Sequence, residues 1–138
     1  MYPVEINWLA ILYSVIASMV IGMAWYGLLA KPWAAAVGKK DEELKSGATT
    51  GYVISVVTAF VTAYIFTHWI TYSAVANPDY VGYSLGATSA FWAWLGFVAP
   101  ITAMNTAWEK RSWNLWLINN GNYLVTLLVM GIIIAKMM

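Results

Sequence analysis

The chain has 138 residues, of which 62% are hydrophobic and 9% are charged, with a net charge of +1 and no cysteine. Soluble domains carry a charge on roughly a quarter of their residues, so this composition excludes an ordinary soluble protein and predicts a membrane protein. The lack of cysteine excludes disulfides and thiolate chemistry, and a near-neutral chain without a basic patch predicts no nucleic-acid partner.

Long uncharged runs define the predicted membrane organisation. Charged residues leave four uncharged segments, 6–30, 46–78, 80–108 and 112–135. Each segment reaches the roughly 20 residues that cross a bilayer core, and none shows the strict alternation of a barrel strand. The sequence therefore predicts an all-α integral membrane protein with four transmembrane helices in an up-down bundle. We expect one membrane domain over 1–138, with spans at about 6–30, 51–72, 80–108 and 112–136.

Spans one and two each carry a stripe of small residues. The first span is long and lacks a basic leading region, so it is interpreted as a retained span rather than a signal peptide. Small side chains every four residues let another helix approach closely. The stripes are Ala10, Ser14, Ser18 and Gly22 in span one, and Gly51, Ser55, Ala59 and Ala63 in span two, with Thr58 and Thr62 beside the second. Both stripes favour helix packing over chemistry.

The polar segment 31–50 separates these spans and is predicted to be a cytoplasmic loop. Pro32 suits the first turn of a short helix on the membrane surface, and Gly38 is expected to end that helix. The mixed charges of 39–45 indicate a solvated turn of helix, with partner docking as the alternative.

The single histidine, His68, lies near the far end of span two. We interpret it as an interfacial imidazole, with a proton relay as the alternative. One histidine without cysteine or nearby carboxylates makes no ligand set, so no metal site is predicted.

Spans three and four form the final hairpin. Gly82, Gly86 and Ala90 give a third small-residue face, and Pro100 predicts a bend because it removes a backbone donor. Ser112 is the predicted N-cap of span four. All basic residues except Lys136 fall in loops one and three. The positive-inside rule therefore predicts an inner-membrane protein with both loops cytoplasmic and both termini outside.

Polar side chains recur at helical spacing on both helices of this hairpin. The two stripes are Thr102, Asn105, Thr106 and Glu109 on span three, and Asn119, Asn122, Tyr123 and Thr126 on span four. At about 1.5 Å per residue, Thr102 and Asn119 lie at the same depth, so we expect them to meet. Either these groups hold the helices together, or they line a hydrated cavity for a polar ligand or a lipid head group. The candidate polar pocket comprises Thr102, Asn105, Glu109, Asn119, Asn122 and Tyr123.

Several separate stretches resemble one known family. They are Asn7 to Ala10, Trp25-Tyr26-Gly27 with Lys31 and Trp33, Gly96 to Pro100, Trp108 to Trp113, and Ile118 to Tyr123. Together they resemble the membrane-protein family known as domain of unknown function 1761, over nearly the full chain. The resemblance implies a small four-span prokaryotic membrane protein and implies no particular activity.

Two functions from different classes follow from these observations. An enzyme is not predicted, because the sequence shows no nucleophile and base and no paired carboxylates, and no cofactor is expected. The leading hypothesis is a non-catalytic structural or accessory subunit in the lipid bilayer, acting through helix packing in a homo-oligomer or a larger membrane complex. The alternative is a small carrier or binding protein with a polar pocket between spans three and four.

Overall fold

The computed structural model describes residues 3–138, and every regular element within them is helical. The elements are α1 (Trp8–Leu28), α2 (Ala30–Val37), α3 (Asp41–Lys45), α4 (Ala48–Ala76), α5 (Gly82–Ala93), a π-helical turn (Trp94–Val98), α6 (Ala99–Trp108) and α7 (Trp113–Lys136). Four stretches are long and apolar enough to cross a membrane: α1, α4, the run from α5 to α6, and α7.

Most apolar surface of these helices points away from the protein interior. In the 18-residue hydrophobic stretch of each membrane-spanning helix, only 17% to 28% of the residues are buried inside the protein. Large side chains such as Val53, Val57 and Ile65 are more than half exposed. Apolar surface of this extent requires a hydrocarbon environment rather than water. The prediction of an all-helical membrane protein with four membrane-spanning helices is therefore confirmed.

The helix ends differ from the predicted spans by a few residues. The largest difference is in α4, which continues past the predicted span at both ends. It begins after Gly47, whose φ of +76° is left-handed, and its C-cap is Asn77. Near the C-terminal end, Ser73 satisfies its hydroxyl within its own helix, since Ser73 Oγ donates to the Trp69 carbonyl at 2.8 Å.

Two glycines allow close contact between the backbones of α5 and α7. Gly86 and Gly131 face one another, and a β-carbon on Gly131 would lie 2.6 Å from the Gly86 carbonyl oxygen. A side chain on either residue would therefore collide with backbone. The buried apolar cluster surrounds this contact: Ala59, Phe66, Ile70, Leu85, Ala90, Met130, Ile134 and Ala135. The small-residue face predicted on span three thus lies in the core.

The run from α5 to α6 is irregular just before its proline. The Ala99 N–H donates to the Trp94 carbonyl, a bond to the fifth residue back that inserts a π-helical turn. Pro100 follows in the first turn of α6. A π-helical turn adds a residue to one helical turn and rotates the segment that follows. The structure thus has a π-helical turn directly before Pro100, and the bend predicted at Pro100 stays a prediction.

The helix end predicted at Gly38 and the N-cap predicted at Ser112 are both confirmed. Gly38 ends α2 in the left-handed conformation with a φ of +74°. The Ser112 side chain accepts a hydrogen bond from the Asn114 N–H at 3.2 Å, so Ser112 is the N-cap of α7. Trp33 of α2 lies edge-on to Tyr26 of α1, with ring centroids 5.7 Å apart. The end of the protein that contains Leu28, Ala48 and Trp113 is called the loop end below.

At the opposite end of the protein, Asn7 links the start of α1 to the end of α7. Its Oδ1 caps α1 by accepting from the N–H groups of Leu9 and Ala10, and its Nδ2 donates to the Met137 carbonyl at 2.9 Å. Asn7→Ala removes the cap and this cross-link, and we expect it to lower the free energy of unfolding by about 1–2 kcal/mol. Asn7→Asp keeps the cap acceptor but has no donor, so its loss should be smaller. Unfolding in mild detergent measures both, and equal losses would contradict the role of the Met137 bond.

Candidate functional site

The segment Ile118–Tyr123 of α7 contacts different neighbours with successive residues. Each helical residue is rotated by about 100° from the one before it, so consecutive side chains point in different directions. The polar residues of this segment therefore divide between α1 on one side and the run from α5 to α6 on another.

Two aromatic residues of α1 donate hydrogen bonds to α7 at the loop end. Trp25 Nε1 donates to the Ile118 carbonyl at 2.9 Å, and the Tyr26 hydroxyl donates to Asn119 Oδ1 at 2.8 Å. The Trp25 ring lies directly over Gly121, where a β-carbon would be 2.6 Å from a ring carbon. Gly121 is thus needed for the close fit of the indole. Two sequence stretches that carry the family resemblance contact each other here.

The bond between Tyr26 and Asn119 is testable by a double-mutant cycle. We expect Tyr26→Phe and Asn119→Ala each to destabilise the protein, and their coupling free energy to be about 0.6–1.7 kcal/mol, the range for hydrogen bonds between membrane helices. Unfolding of the two single variants and the double variant in detergent gives this value. Additive effects would show that the two groups do not interact.

Asn120 is the centre of a second network, toward α6. It is 3% exposed. Its Oδ1 accepts from Trp94 Nε1 at 3.2 Å, and its Nδ2 donates to the Thr102 hydroxyl and to the Trp116 carbonyl, both at 3.1 Å. Trp116 Nε1 also donates to the Thr102 hydroxyl, at 3.1 Å. The single hydroxyl proton of Thr102 goes to the nearest acceptor, the Val98 carbonyl at 2.7 Å. Both sides of the Asn120 amide are thus satisfied.

The structure does not gather the six predicted pocket residues into one site. Thr102 hydrogen-bonds to Asn120 and not, as expected, to Asn119, which turns toward Tyr26. Depth along the helix was the basis of that expectation, whereas rotation about the helix axis decides which asparagine faces α6. The π-helical turn adds to this rotation upstream of Thr102.

The other members of the predicted pocket lie apart. Asn105 is exposed on α6. Glu109 pairs with Arg111 at 2.7 Å, and their side chains are 50% and 61% exposed. An exposed ion pair of this kind contributes little to stability. The polar pocket expected between spans three and four is therefore replaced there by the closed Asn120 network.

An open cleft lies instead between α1, α4 and α7. Its volume is about 890 Å³, within the range of small-ligand sites. Asn122 and Tyr123 line it, so two of the predicted pocket residues do lie in one cavity. Its further polar lining comes from Ser18 and Tyr26 of α1, Thr126 of α7, and four residues of α4: Tyr52, Ser55, Thr58 and Thr62.

Two residues of the α7 wall of this cleft, Asn122 and Thr126, each have a fully buried polar atom without a hydrogen-bond partner in the described part of the chain. Asn122 is 8% exposed, and its Nδ2 is unpaired among residues 3–138. Thr126, one turn further along α7, has an unpaired buried hydroxyl in the same described part of the chain. A buried polar group without a partner costs about 1–3 kcal/mol, and native proteins contain few of them. Asn122 therefore differs from Asn119 and Asn120, whose amides are used in packing.

The α4 side of the cleft was not anticipated as part of a site. Hydroxyls in a helix can bond to their own backbone and then need no other partner. Two of them do so: Ser55 donates to the Gly51 carbonyl at 2.8 Å and Thr58 to the Ser55 carbonyl at 3.1 Å. The available signal was the clustering of hydroxyls beside the small-residue stripe of span two. That signal does not distinguish a packed face from a cleft wall.

No group of three or more His, Cys, Asp or Glu side chains that could hold a metal ion occurs in residues 3–138. His68 lies with its Nδ1 at 3.0 Å from the Tyr64 carbonyl, within its own helix. Its ring centroid is 5.0 Å from that of Tyr64. The imidazole is thus part of an aromatic contact at this position.

Comparison with known proteins assigns the chain to a family. No curated protein and no solved structure matches it. The family model described as "Protein of unknown function (DUF1761)" matches residues 9–135. This range includes both the Trp25-Tyr26 pair and the α7 segment that it contacts, and it confirms the resemblance seen in the sequence. The protein belongs to the DUF1761 family.

Proposed function

We propose that this is a non-catalytic multi-pass membrane protein that binds a small molecule in the cleft between α1, α4 and α7, as a carrier or binding protein. The observation that carries the proposal is the Asn122 side chain, which is nine-tenths buried, lines a polar cleft and has an amide nitrogen that is unpaired among residues 3–138. Rotation of this side chain toward the cleft would bring Nδ2 to a ligand oxygen and remove the cost of the unpaired donor. By the positive-inside rule, the loop end and its cleft belong on the cytoplasmic side of the inner membrane.

Replacement of Asn122 should abolish ligand binding without lowering the stability of the protein. If its amide were a packing group, Asn122→Leu would destabilise the protein. For an amide without a protein partner, replacement by an apolar group of similar size should leave stability unchanged or raise it. A binding amide therefore predicts a variant that is at least as stable as the wild type but has lost its ligand.

Native mass spectrometry tests the proposal on protein purified from cell membranes in mild detergent. The wild type should retain a bound small molecule, and Asn122→Leu and Thr126→Val should lose it while their thermal midpoints stay within a few degrees of the wild type. Asn105→Leu makes the same amide-to-leucine change at an exposed position outside the cleft, so it should retain the ligand. A wild type that carries no ligand, or variants that carry it equally, would contradict the proposal.

Self-association as a structural or accessory subunit is the second candidate function. It is favoured by the first half of α4, where Gly51 and Ser55 form a small-residue surface that is exposed in the single chain. Because the natural chain has no cysteine, Gly51→Cys introduces a single thiol. Disulfide-linked dimers of this variant in native membranes, together with the absence of a retained ligand in the wild type, would favour this function over binding.

A further inference from the structure

The small-residue stripes of α1 and α4 lie at matching depths on two antiparallel helices. At the start of α1, the Trp8 ring stacks on Phe60 and Tyr64 of α4, with ring centroids 6.4 and 6.2 Å apart. From this contact both helices run toward the loop end and rise about 1.5 Å per residue, so their residues can be matched by counting. The pairs at the same depth are Ala10 with Ala59, Ser14 with Ser55, and Ser18 with Gly51.

These two stripes are buried far from the loop end and separated near it. Ala10 and Ala59 are 2% and 5% exposed. Ser18 and Ser55 instead line the open cleft. Gly51, one turn before Ser55, is exposed, and a β-carbon there would meet no atom within 4 Å. Small residues allow helices to pack closely, so the separated half of the two stripes has the composition of a helix contact that is not made.

The loop-end half of α4 has few contacts that would resist movement. Residues 45–58 form an unbroken exposed stretch, whereas Ala63, Phe66 and Ile70 in the second half are buried. Segments with few buried contacts are the ones that move at low cost in free energy. Ala63 and Gly51 are about 18 Å apart along the helix, so a tilt of about 15° at Ala63 would carry Gly51 roughly 5 Å toward α1.

The groups on the two walls suit direct contact. Ser55 uses its hydroxyl hydrogen on the Gly51 carbonyl, so its oxygen can accept a hydrogen bond from the Ser18 hydroxyl when the walls meet. Met19 and Met23 also line the cleft, and their flexible side chains can change rotamer as the gap narrows. Hydroxyls inside a membrane need partners. Contact between the walls supplies them in an empty cleft, and a bound molecule supplies them in an occupied one.

We infer that the loop-end half of α4 is a lid, which tilts onto α1 when the cleft is empty and is held away from α1 by a bound molecule. This inference rests on the proposed function and adds how its cleft opens and closes. Closure brings Ser18 against Gly51 and Ser55 and removes the space that a ligand would occupy. Ligand binding and lid closure therefore exclude one another.

Disulfide trapping in native membranes tests the lid, because the natural chain has no cysteine. In Ser18→Cys/Gly51→Cys the two β-carbons are more than 4 Å apart in the open cleft. Closure would bring them to the separation of about 3.8 Å that is typical of disulfides. After mild oxidation, loss of maleimide-reactive thiols at the mass of a single chain reports the internal bond.

The matched control is Ser18→Cys/Val53→Cys. Val53 lies near the same depth of α4 but is 58% exposed and does not line the cleft. We expect the internal disulfide of Ser18→Cys/Gly51→Cys to form at least about tenfold faster than that of the control, because only its thiols meet on closure. In native mass spectrometry, the oxidised Ser18→Cys/Gly51→Cys protein should have lost the small molecule that its reduced form retains.

Other outcomes separate the lid from the proposed function. Equal rates in both double variants would overturn the lid, while a ligand retained by the wild type would leave the binding function standing. Disulfide-linked dimers in place of the internal bond would show that this half of α4 packs against a second copy and not against α1. An oxidised protein that keeps its ligand would overturn the exclusion of ligand by closure. Fast internal bonding together with a wild type that carries no ligand would support the closing motion and contradict the binding function.

Discussion

Gly86→Ala is expected to lower the free energy of unfolding by about 2–3 kcal/mol, although alanine is the better helix former by about 1 kcal/mol. The added methyl group would collide with the Gly131 backbone, and neither helix can relieve that collision by changing a side-chain rotamer. The two helices must move apart, and the buried cluster around Phe66 and Met130 would lose contacts. Thermal or denaturant unfolding in mild detergent measures the loss.

Gly51→Ala is the matched control for this substitution. Gly51 is also a helical glycine, but a β-carbon there would meet no atom within 4 Å. Its replacement should leave stability unchanged or raise it by up to about 1 kcal/mol through helix propensity. Gly131→Ala should resemble Gly86→Ala, and the double variant should cost less than the sum because both remove one contact. Equal behaviour of Gly51→Ala and Gly86→Ala would contradict the close approach of α5 and α7.

Asn120→Leu is expected to cost about 2 kcal/mol, the largest effect among the asparagines of α7. Leucine of similar size leaves the Trp94 indole N–H without its acceptor and removes a donor from the Thr102 hydroxyl. An orphaned buried donor costs about 1–3 kcal/mol, whereas single hydrogen bonds between membrane helices contribute about 0.6 kcal/mol on average. Unfolding in detergent and the near-ultraviolet signal of the indoles report the change.

Asn114→Leu and Asn122→Leu make the same change on the same helix, so they are comparison variants for the stability of Asn120→Leu. Asn114 is exposed in the first turn of α7, so its replacement should have little effect on stability. The Asn122 amide nitrogen has no partner within residues 3–138, so its replacement should also be tolerated. The expected ranking has Asn120 alone as strongly destabilising. A large loss at Asn122 with little loss at Asn120 would reverse the assignment of packing and binding roles.

The sequence predicted only part of what Asn119, Asn120 and Asn122 contact in the candidate site. Amides are costly in hydrocarbon, so their presence in span four predicted that each would have a partner or a purpose. Asn119 and Asn120 have partners, on α1 and on the run from α5 to α6 respectively. Asn122 lines the cleft with its amide nitrogen unpaired within residues 3–138. Packing thus accounts for Asn119 and Asn120, and Asn122 is the residue on which the proposed binding function depends.

The membrane-spanning helices, the helix end at Gly38 and the cap at Ser112 follow from the sequence alone. Each depends on a local property, namely the length of an uncharged run against bilayer thickness, a glycine that adopts the left-handed conformation, or a side chain that reaches its own helix. Only the tertiary structure decided that Asn120 faces Thr102 and that the cleft lies between α1, α4 and α7. Helix rotation and tilt determine those neighbours. They arise from the fit of Gly86 on Gly131 and of Trp25 on Gly121, contacts between residues distant in the chain that spacing along one helix does not encode.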